Sequence, residues 1–349
     1  MKENELEENL LCLAKIVEQL QQKLIIMEDL NKTLVYANRQ LVENIEQNQS
    51  FLKDYQQNAI FEILDFENNQ MNEFWYPKIV DREATVEKIV SEGVSMARFG
   101  DGEFSIINGN TRHRFQTTDI VKLGSRLKEV LDSDNPKMLI GIANNYGNLE
   151  RYSEQSKHEI RRYLNREVRK QHLSLLKKDC IYYDAYITRP YVMYEDSMTE
   201  APGKRFNNLK RIWDKRKCVF VEGCMTGLGV GNDLFDNTED IKRILVPAEN
   251  AFDRYDEILA ECKKQDMDVL FLIAAGPTAT VLAYDLCNAG YQAIDIGHID
   301  LEYEWFLKGE GRRVLVDGKY SNEMPGQEVP ENKISDPVYL KQIISNLSI

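Results

Sequence analysis

Two carboxylates one residue apart, Asp101 and Glu103, stand between glycines in ARFGDGEF, residues 97–104. An apolar run precedes them, so a strand is expected to end there, and Gly100 and Gly102 allow a tight turn that aims both acids at one point. Paired carboxylates at a strand end suit a hard divalent cation, which takes oxygen ligands and shares them with phosphate oxygens. Arg98, just before the turn, can grip a phosphate through two parallel N–H bonds. A solvated turn has the same signature, so an isolated DxE decides nothing without its surroundings.

Three more segments place chemistry after apolar runs. In AAGPTATVLAYDL, residues 274–286, Gly276 ends a strand, Pro277 suits a first helical position, and Thr278 adds a hydroxyl where helix amides lack partners. A diphosphate is attracted to that geometry, although an ordinary strand-to-helix turn looks alike. The segment is neither GxGxxG nor a Walker motif, so neither NAD nor P-loop chemistry is indicated. In VEGCMTGLGVGNDLFD, residues 221–236, the glycines Gly223, Gly227, Gly229 and Gly231 let backbone amides approach a ligand, with Glu222 at the strand end and Asn232 and Asp233 after the last glycine.

AIDIGHIDLEYEWF, residues 293–306, gathers Asp295, Gly297, His298, Asp300, Glu302 and Glu304 beside Tyr303 and Trp305. If extended, His298, Asp300, Glu302 and Glu304 share a face; if helical, Asp300 and Glu304 do. Such a cluster can supply metal ligands, a general base or contacts to sugar hydroxyls. Arg189, in ITRPY at 187–191, fits a phosphate contact and a structural salt bridge equally well.

The elements that must position these residues follow from periodicity. Strands are expected at 94–99, 137–143, 181–187, 217–223, 242–247, 267–276 and 291–297, with helices at 84–92, 119–132, 153–168, 250–264 and 278–289 between them. The alternation predicts an α/β fold, a Rossmann-like, mostly parallel sheet flanked by helices, in which ligands bind at the carboxyl ends of strands. Before it, residues 1–55 contain no Gly or Pro and repeat apolar residues three and four apart. One core set is Leu10, Val17, Leu24, Asn31, Asn38, Ile45 and Leu52; the other is Leu6, Leu13, Leu20, Met27, Leu34, Leu41 and Asn48. That predicts an N-terminal coiled-coil helix, and Asn31 and Asn38 at the first core position favour a parallel homodimer. The junction falls at 56–80, and the globular domain at 81–349.

Composition narrows the partners. The 349 residues carry a net charge of -13, which argues against nucleic acid or an anionic membrane surface as the main partner. No apolar stretch reaches the roughly 20 residues of a membrane span, and the acidic start is unlike a signal peptide, so a cytoplasmic protein is expected. The six cysteines lack metal-type spacing and are expected to be reduced and structural.

Taken together, ARFGDGEF, FQ at 115–116, TRPY, VEGCMTGLGVGNDLF, PAENAFDRYDEIL, AAGPTATVLAYDL and GYQAIDIGHIDLEYEW resemble the bacterial GT-D-type glycosyltransferases over about residues 80–310. The resemblance implies a Rossmann-like domain that binds a nucleotide-sugar, typically a UDP-sugar, with Asp101 and Glu103 as a DxE motif holding Mn2+ or Mg2+. It implies transfer of a hexose-type sugar to a glycan or glycoprotein acceptor. The physical reading agrees: a cation at the acids neutralises charge developing on the leaving diphosphate, and the helix start at Pro277, with Arg98 or Arg189, adds positive potential. Asp300, Glu304, Glu222 and Asp233 are the candidates for a base that activates an acceptor hydroxyl. Two other readings are a nucleotide-sugar-binding scaffold that has lost catalysis and a Rossmann enzyme of another kind, such as an oxidoreductase or methyltransferase.

Overall fold

The computed structural model describes residues 2–63, 75–111, 115–320 and 334–348. The chain divides into two compact units, Met1–Gln57 and Asn58–Ile349. The first is occupied by α1, a helix over Lys2–Ile63, eight residues longer than the heptad reading required. Leu10, Leu13, Leu20, Leu24, Leu34 and Leu41 of its apolar seam are all exposed on the single chain. Of the expected junction at 56–80, residues 56–63 continue α1 and Lys78–Val80 is a strand, while 64–74 lie outside the described residues.

The second unit is built on nine strands: β1 (Lys78–Val80), β2 (Ser95–Phe99), β3 (Met138–Ile142), β4 (Ile181–Asp184), β5 (Lys217–Gly223), β6 (Asp240–Val246), β7 (Leu270–Ala274), β8 (Gln292–Asp295) and β9 (Ile343–Asn346). Every pairing is parallel, in the order β1-β4-β3-β2-β8-β7-β5-β6-β9. Seven strands answer to the seven expected ones. The edge strands β1 and β9 were not foreseen, because three and four residues are too short to show a period.

Helices cover both faces: α2 (Arg82–Glu92), α3 (Asp101–Ile107), α4 (Ile120–Leu131), α5 (Glu154–Tyr163), α6 (Arg166–Leu175), α7 (Ala201–Lys210), α8 (Tyr255–Cys262), α9 (Pro277–Asn288), α10 (Ile299–Lys308) and α11 (Pro337–Gln342). Alternation along the strands explains the layering. Val219, Val221, Phe271 and Ile273 pack with Leu127 of α4, Ile258 of α8 and Leu282 of α9, while Cys218, Phe220, Leu270 and Leu272 pack with Ile89 of α2, Phe206 of α7 and Ile299 of α10. The one helix expected at 153–168 is two, since Asn165 breaks the run and caps α6 by accepting from the Glu167 and Val168 amides at 3.1 Å each. The described cysteines are all free, and burial pushes the Cys218 and Cys262 thiols up to about 12.

The strand order creates two divergence points. From β2 the chain leads outward through β3 to β4, whereas from β8 it returns to β9 at the opposite edge; likewise β7 leads to β8, and its neighbour β5 leads to β6. Adjacent strands whose connections part leave a crevice above their carboxyl ends, the place where α/β sheets bind ligands.

Candidate active site

A cavity of about 680 Å3 lies over both divergence points. Its described walls include Asp101 and Glu103 after β2, Gly223 after β5, Pro247 and Ala248 after β6, Gly276 and Pro277 after β7, and Gly297 and His298 after β8.

The acid pair reaches the cavity, but not in the expected turn. Gly100 is the N-cap of α3, and the helix starts at Asp101. Glu103, at the third helical position, reaches back so that one of its oxygens accepts the Gly100 amide at 2.8 Å. In a helix, residues two apart point roughly 200° away from each other, so the acids do not converge as a tight turn would make them. Asp101 is exposed, and Glu103 is half-buried. Loss of hydration raises the Glu103 carboxyl to about 7, the Gly100 amide opposing and negative charge on Asp295 and Asp101 adding. Among the described residues no group of three or more His, Cys, Asp or Glu side chains is placed to hold a metal. The donors on offer are therefore the exposed Asp101 carboxylate and a Glu103 carboxyl already engaged by the Gly100 amide. That fits a magnesium-type ion completed by substrate phosphates and water, and does not fit a closed protein cage.

Arg98 takes a different role from a phosphate grip. Its Nε donates to the Asp295 carbonyl at 2.8 Å, Nη2 to the Asp295 carboxylate at 2.7 Å, and Nη1 to Thr188 Oγ1 at 2.8 Å. Gly297 makes room for this: a Cβ there would stand 2.1 Å from Arg98 Nη2, and its φ of +48° favours glycine. Arg189 lines the cavity as expected, and its charge acts on Tyr186 and Glu302.

At the start of α9, Gly276 has φ +55°, and a Cβ would meet the Phe115 ring at 3.3 Å. Gly276 and Pro277 face the cavity; Thr278 does not line it, and its buried hydroxyl has no partner among the described residues. The glycine-rich segment departs further from expectation. Only Gly223 lines the cavity, while a Cβ on Gly227 would meet Ile334 at 2.8 Å and one on Gly229 would meet Phe235 at 2.8 Å. These two glycines serve packing rather than ligand approach. Gly231 and Asn232 also lie off the cavity wall.

Of the four carboxylates weighed as a base, Asp300 alone lines the cavity. Residues 299–308 are helical, so Asp300 and Glu304 share a face, and both accept from Asn232 Nδ2, at 2.9 and 2.7 Å, and from Lys319 Nζ, at 2.6 and 2.9 Å. Asp300 also accepts the Gly229 amide at 2.9 Å. Glu222 is fully buried, paired with Arg243 and accepting the Leu228 amide at 2.8 Å. Asp233 is held by the Tyr303 hydroxyl at 2.7 Å and Lys210 at 3.0 Å. Glu302 is buried and accepts the Tyr191 and Val192 amides at 3.0 and 3.2 Å. These partners make Glu222, Asp233 and Glu304 structural ties rather than groups open to a substrate.

Residues the sequence did not flag complete the walls: Tyr320 on one side, and Asn145, Tyr146, Tyr163, His172 and Tyr186 on the other. His172 stacks on Phe104 with ring centres 4.0 Å apart and meets the Tyr146 and Tyr163 hydroxyls at 2.9 and 3.0 Å. No short motif could have found it, because its partners lie on α3, α5 and the segment after β3.

Residues 96–324 match the glycosyltransferase GT-D fold family, and the chain belongs to it. It is 34% identical over 271 residues to a probable glycosyl transferase Gly of Streptococcus gordonii, and 33% identical over 271 residues to glycosyltransferase GlyD of Streptococcus pneumoniae serotype 4. Those matches cover 77% and 75% of this chain but only 39% and 32% of the two relatives, which are much longer. A solved structure described as a new glycosyltransferase (DUF1792) from Streptococcus sanguinis superposes with a TM-score of 0.72 at 32% identity, covering 78% of this chain and all of that one. A second, described as a domain of unknown function 1792 with a distinct glycosyltransferase fold, gives 0.72 at 33% identity, with 78% and 96% covered. No described helix is long and apolar enough to cross a membrane.

His172 yields a pH prediction. Burial, with the Arg169 charge, lowers its pKa from 6.5 to about 3. The unfolded chain therefore binds more protons than the folded one between those values. This contribution to stability is complete above pH 6.5 and lost as pH falls toward 3. Urea unfolding of the wild type and His172→Asn between pH 7 and 4 should give a shallower decline in the variant, by up to about 1.4 kcal/mol per pH unit, one proton's worth. Equal slopes would mean that folding leaves the proton affinity of His172 unchanged, which contradicts the prediction.

Proposed function

We propose that this chain is a metal-dependent glycosyltransferase that moves a hexose-type sugar from a nucleotide-sugar, expected to be a UDP-sugar, to a glycan or glycoprotein acceptor. One observation carries the reading: Asp101 at the start of α3 and the Gly276-Pro277 start of α9 open on the same cavity, one strand either side of β8. Pro277 carries no N–H and the Ala279 amide donates to the Gly276 carbonyl at 3.0 Å, so what the start of α9 offers a diphosphate is chiefly the positive end of its dipole. Asp101, with Glu103 behind it, would hold the divalent cation, which when bound neutralises charge developing on the leaving diphosphate.

The walls suggest which way the donor lies. Asp101 and Glu103 follow β2 and Asp295 ends β8, whereas Gly223, Thr226, Leu228, Pro247 and Ala248 at the ends of β5 and β6 include no acid, and Asp300 stands between the two groups beside Gly229. The reacting sugar belongs at the acidic side and the nucleoside at the other. Arg98, by bonding to Asp295, fixes the floor of the acidic side. Names of relatives that share this fold agree with the reaction class.

Donor turnover tests this. UDP release from UDP-glucose, UDP-galactose and UDP-N-acetylglucosamine should require manganese, disappear with EDTA, and fall roughly 100-fold or more in Asp101→Ala, the scale of losing one transition-state charge contact. Turnover indifferent to both metal and mutation would refute the proposal, and tight donor binding without turnover would favour the scaffold reading.

The exposed α1 seam is read as the contact for a second copy. In a parallel, in-register pair, Asn31 and Asn38 each meet their twins, and Lys23 of one helix would face Glu28 of the other. Light scattering should report a dimer for the wild type and a monomer for the Leu20→Glu, Leu34→Glu double variant. A wild-type monomer, or an assembly that the double variant leaves intact, would contradict this.

A further inference from the structure

Residues 314–320 cross from the end of α10 to the β5–β6 end of the cavity, and Val314, Val316, Lys319 and Tyr320 pin them. Trp305 Nε1 donates to the Val314 carbonyl at 2.7 Å, and Val316 packs into the core beside α10. A turn follows, with Lys319 N–H on the Val316 carbonyl at 3.2 Å and Gly318 at φ +74°. Lys319 is 5% exposed, an unusual place for an ammonium group unless it is paired. Its Nζ spans Asp300 at 2.6 Å and Glu304 at 2.9 Å, while Asn232 approaches the same two carboxylates. One cation thus ties together α10, the glycine-rich segment and the crossing strand of chain.

The next residue is Tyr320. Its amide donates to the Met225 carbonyl at 3.0 Å and its hydroxyl to Glu249 at 3.0 Å, and its side chain lines the cavity beside Thr226, Leu228 and Pro247. We propose that Lys319 is a positioning residue whose bridge to Asp300 and Glu304 sets Tyr320 as the wall of the nucleoside end of the donor site. The inference rests on the nucleotide-sugar reading and adds which residues make that end. Lys319 itself touches no substrate; it acts by placing Tyr320, and the ring then contributes apolar area with a polar tip to a bound nucleoside.

The test separates the two moieties of the donor. Calorimetry on the full chain with manganese would measure UDP and inorganic pyrophosphate, using wild type, Tyr320→Ala, Lys319→Met and Lys319→Arg. The UDP Kd should rise at least about tenfold in Tyr320→Ala and Lys319→Met, about 1.4 kcal/mol, with pyrophosphate unchanged and the Arg variant partly restored. A merely structural role would lower the melting temperature without changing the ratio of the two affinities, and that result overturns the proposal. So does a UDP Kd equal to wild type in Tyr320→Ala, which keeps the question decidable if Lys319→Met does not fold. A wild type that binds neither probe would instead sink the nucleotide-sugar reading, and this inference with it.

Discussion

The bridge between Arg98 and Asp295 is the contact on which the site depends. Strands β2 and β8 share one ladder pair, Met96 with Ile294, and beyond it they part. Arg98 spans the opening, bonded to both the carbonyl and the carboxylate of Asp295, with side-chain exposures of 17% and 5%. Partners this enclosed are costly to separate, because a lone buried charge is left behind. The same carboxylate accepts the Gly297 amide at 3.1 Å, and Thr280 of α9 bonds to the Arg98 carbonyl at 3.0 Å. Arg98, through its guanidinium and its own carbonyl, therefore ties the acid-bearing end of β2 to the turn after β8 and to the first turn of α9.

From that constraint the cavity follows. A parallel sheet has all its carboxyl ends at one edge, so the turns after β2, β8, β7 and β5 must face the same space. What differs among them is charge. The β2–β8 side brings acids, and there loss of hydration, with the Asp295 and Asp101 charges adding, raises the Glu103 carboxyl to about 7. Toward β5 and β6 the wall becomes backbone, apolar side chains and Tyr320. A ligand with a charged middle, a reactive end and an inert end matches such a gradient.

Much of this was legible in the sequence, for identifiable reasons. The interior strands are continuous apolar runs bounded by turn residues, so seven were found with the right ends to within a few residues. DGE was found because acids between glycines are conspicuous, yet its local structure was misjudged: Glu103 can cap Gly100 only across one helical turn, and the flanking glycines disguise that helix start. Gly227 and Gly229 looked like ligand-approach residues, but Ile334 and Phe235 crowd them from segments distant in sequence. Lys319 was invisible for the same reason. A lysine has no local signature for burial, and its two carboxylates come from a helix 15 and 19 residues upstream. Local pattern located the strand ends; which side chains close over them is decided by non-local packing.

The central claim is that a cation at Asp101 and a nucleoside diphosphate complete one another in this cavity. Following the free Mn2+ signal by electron paramagnetic resonance during titration, with and without UDP, tests it most directly. Because the described side chains offer no three-ligand cage, the account predicts weak Mn2+ binding alone, strong binding with UDP, and loss of that enhancement in Asp101→Asn. Equal Mn2+ affinity with and without UDP, or an undiminished enhancement in the variant, would contradict it.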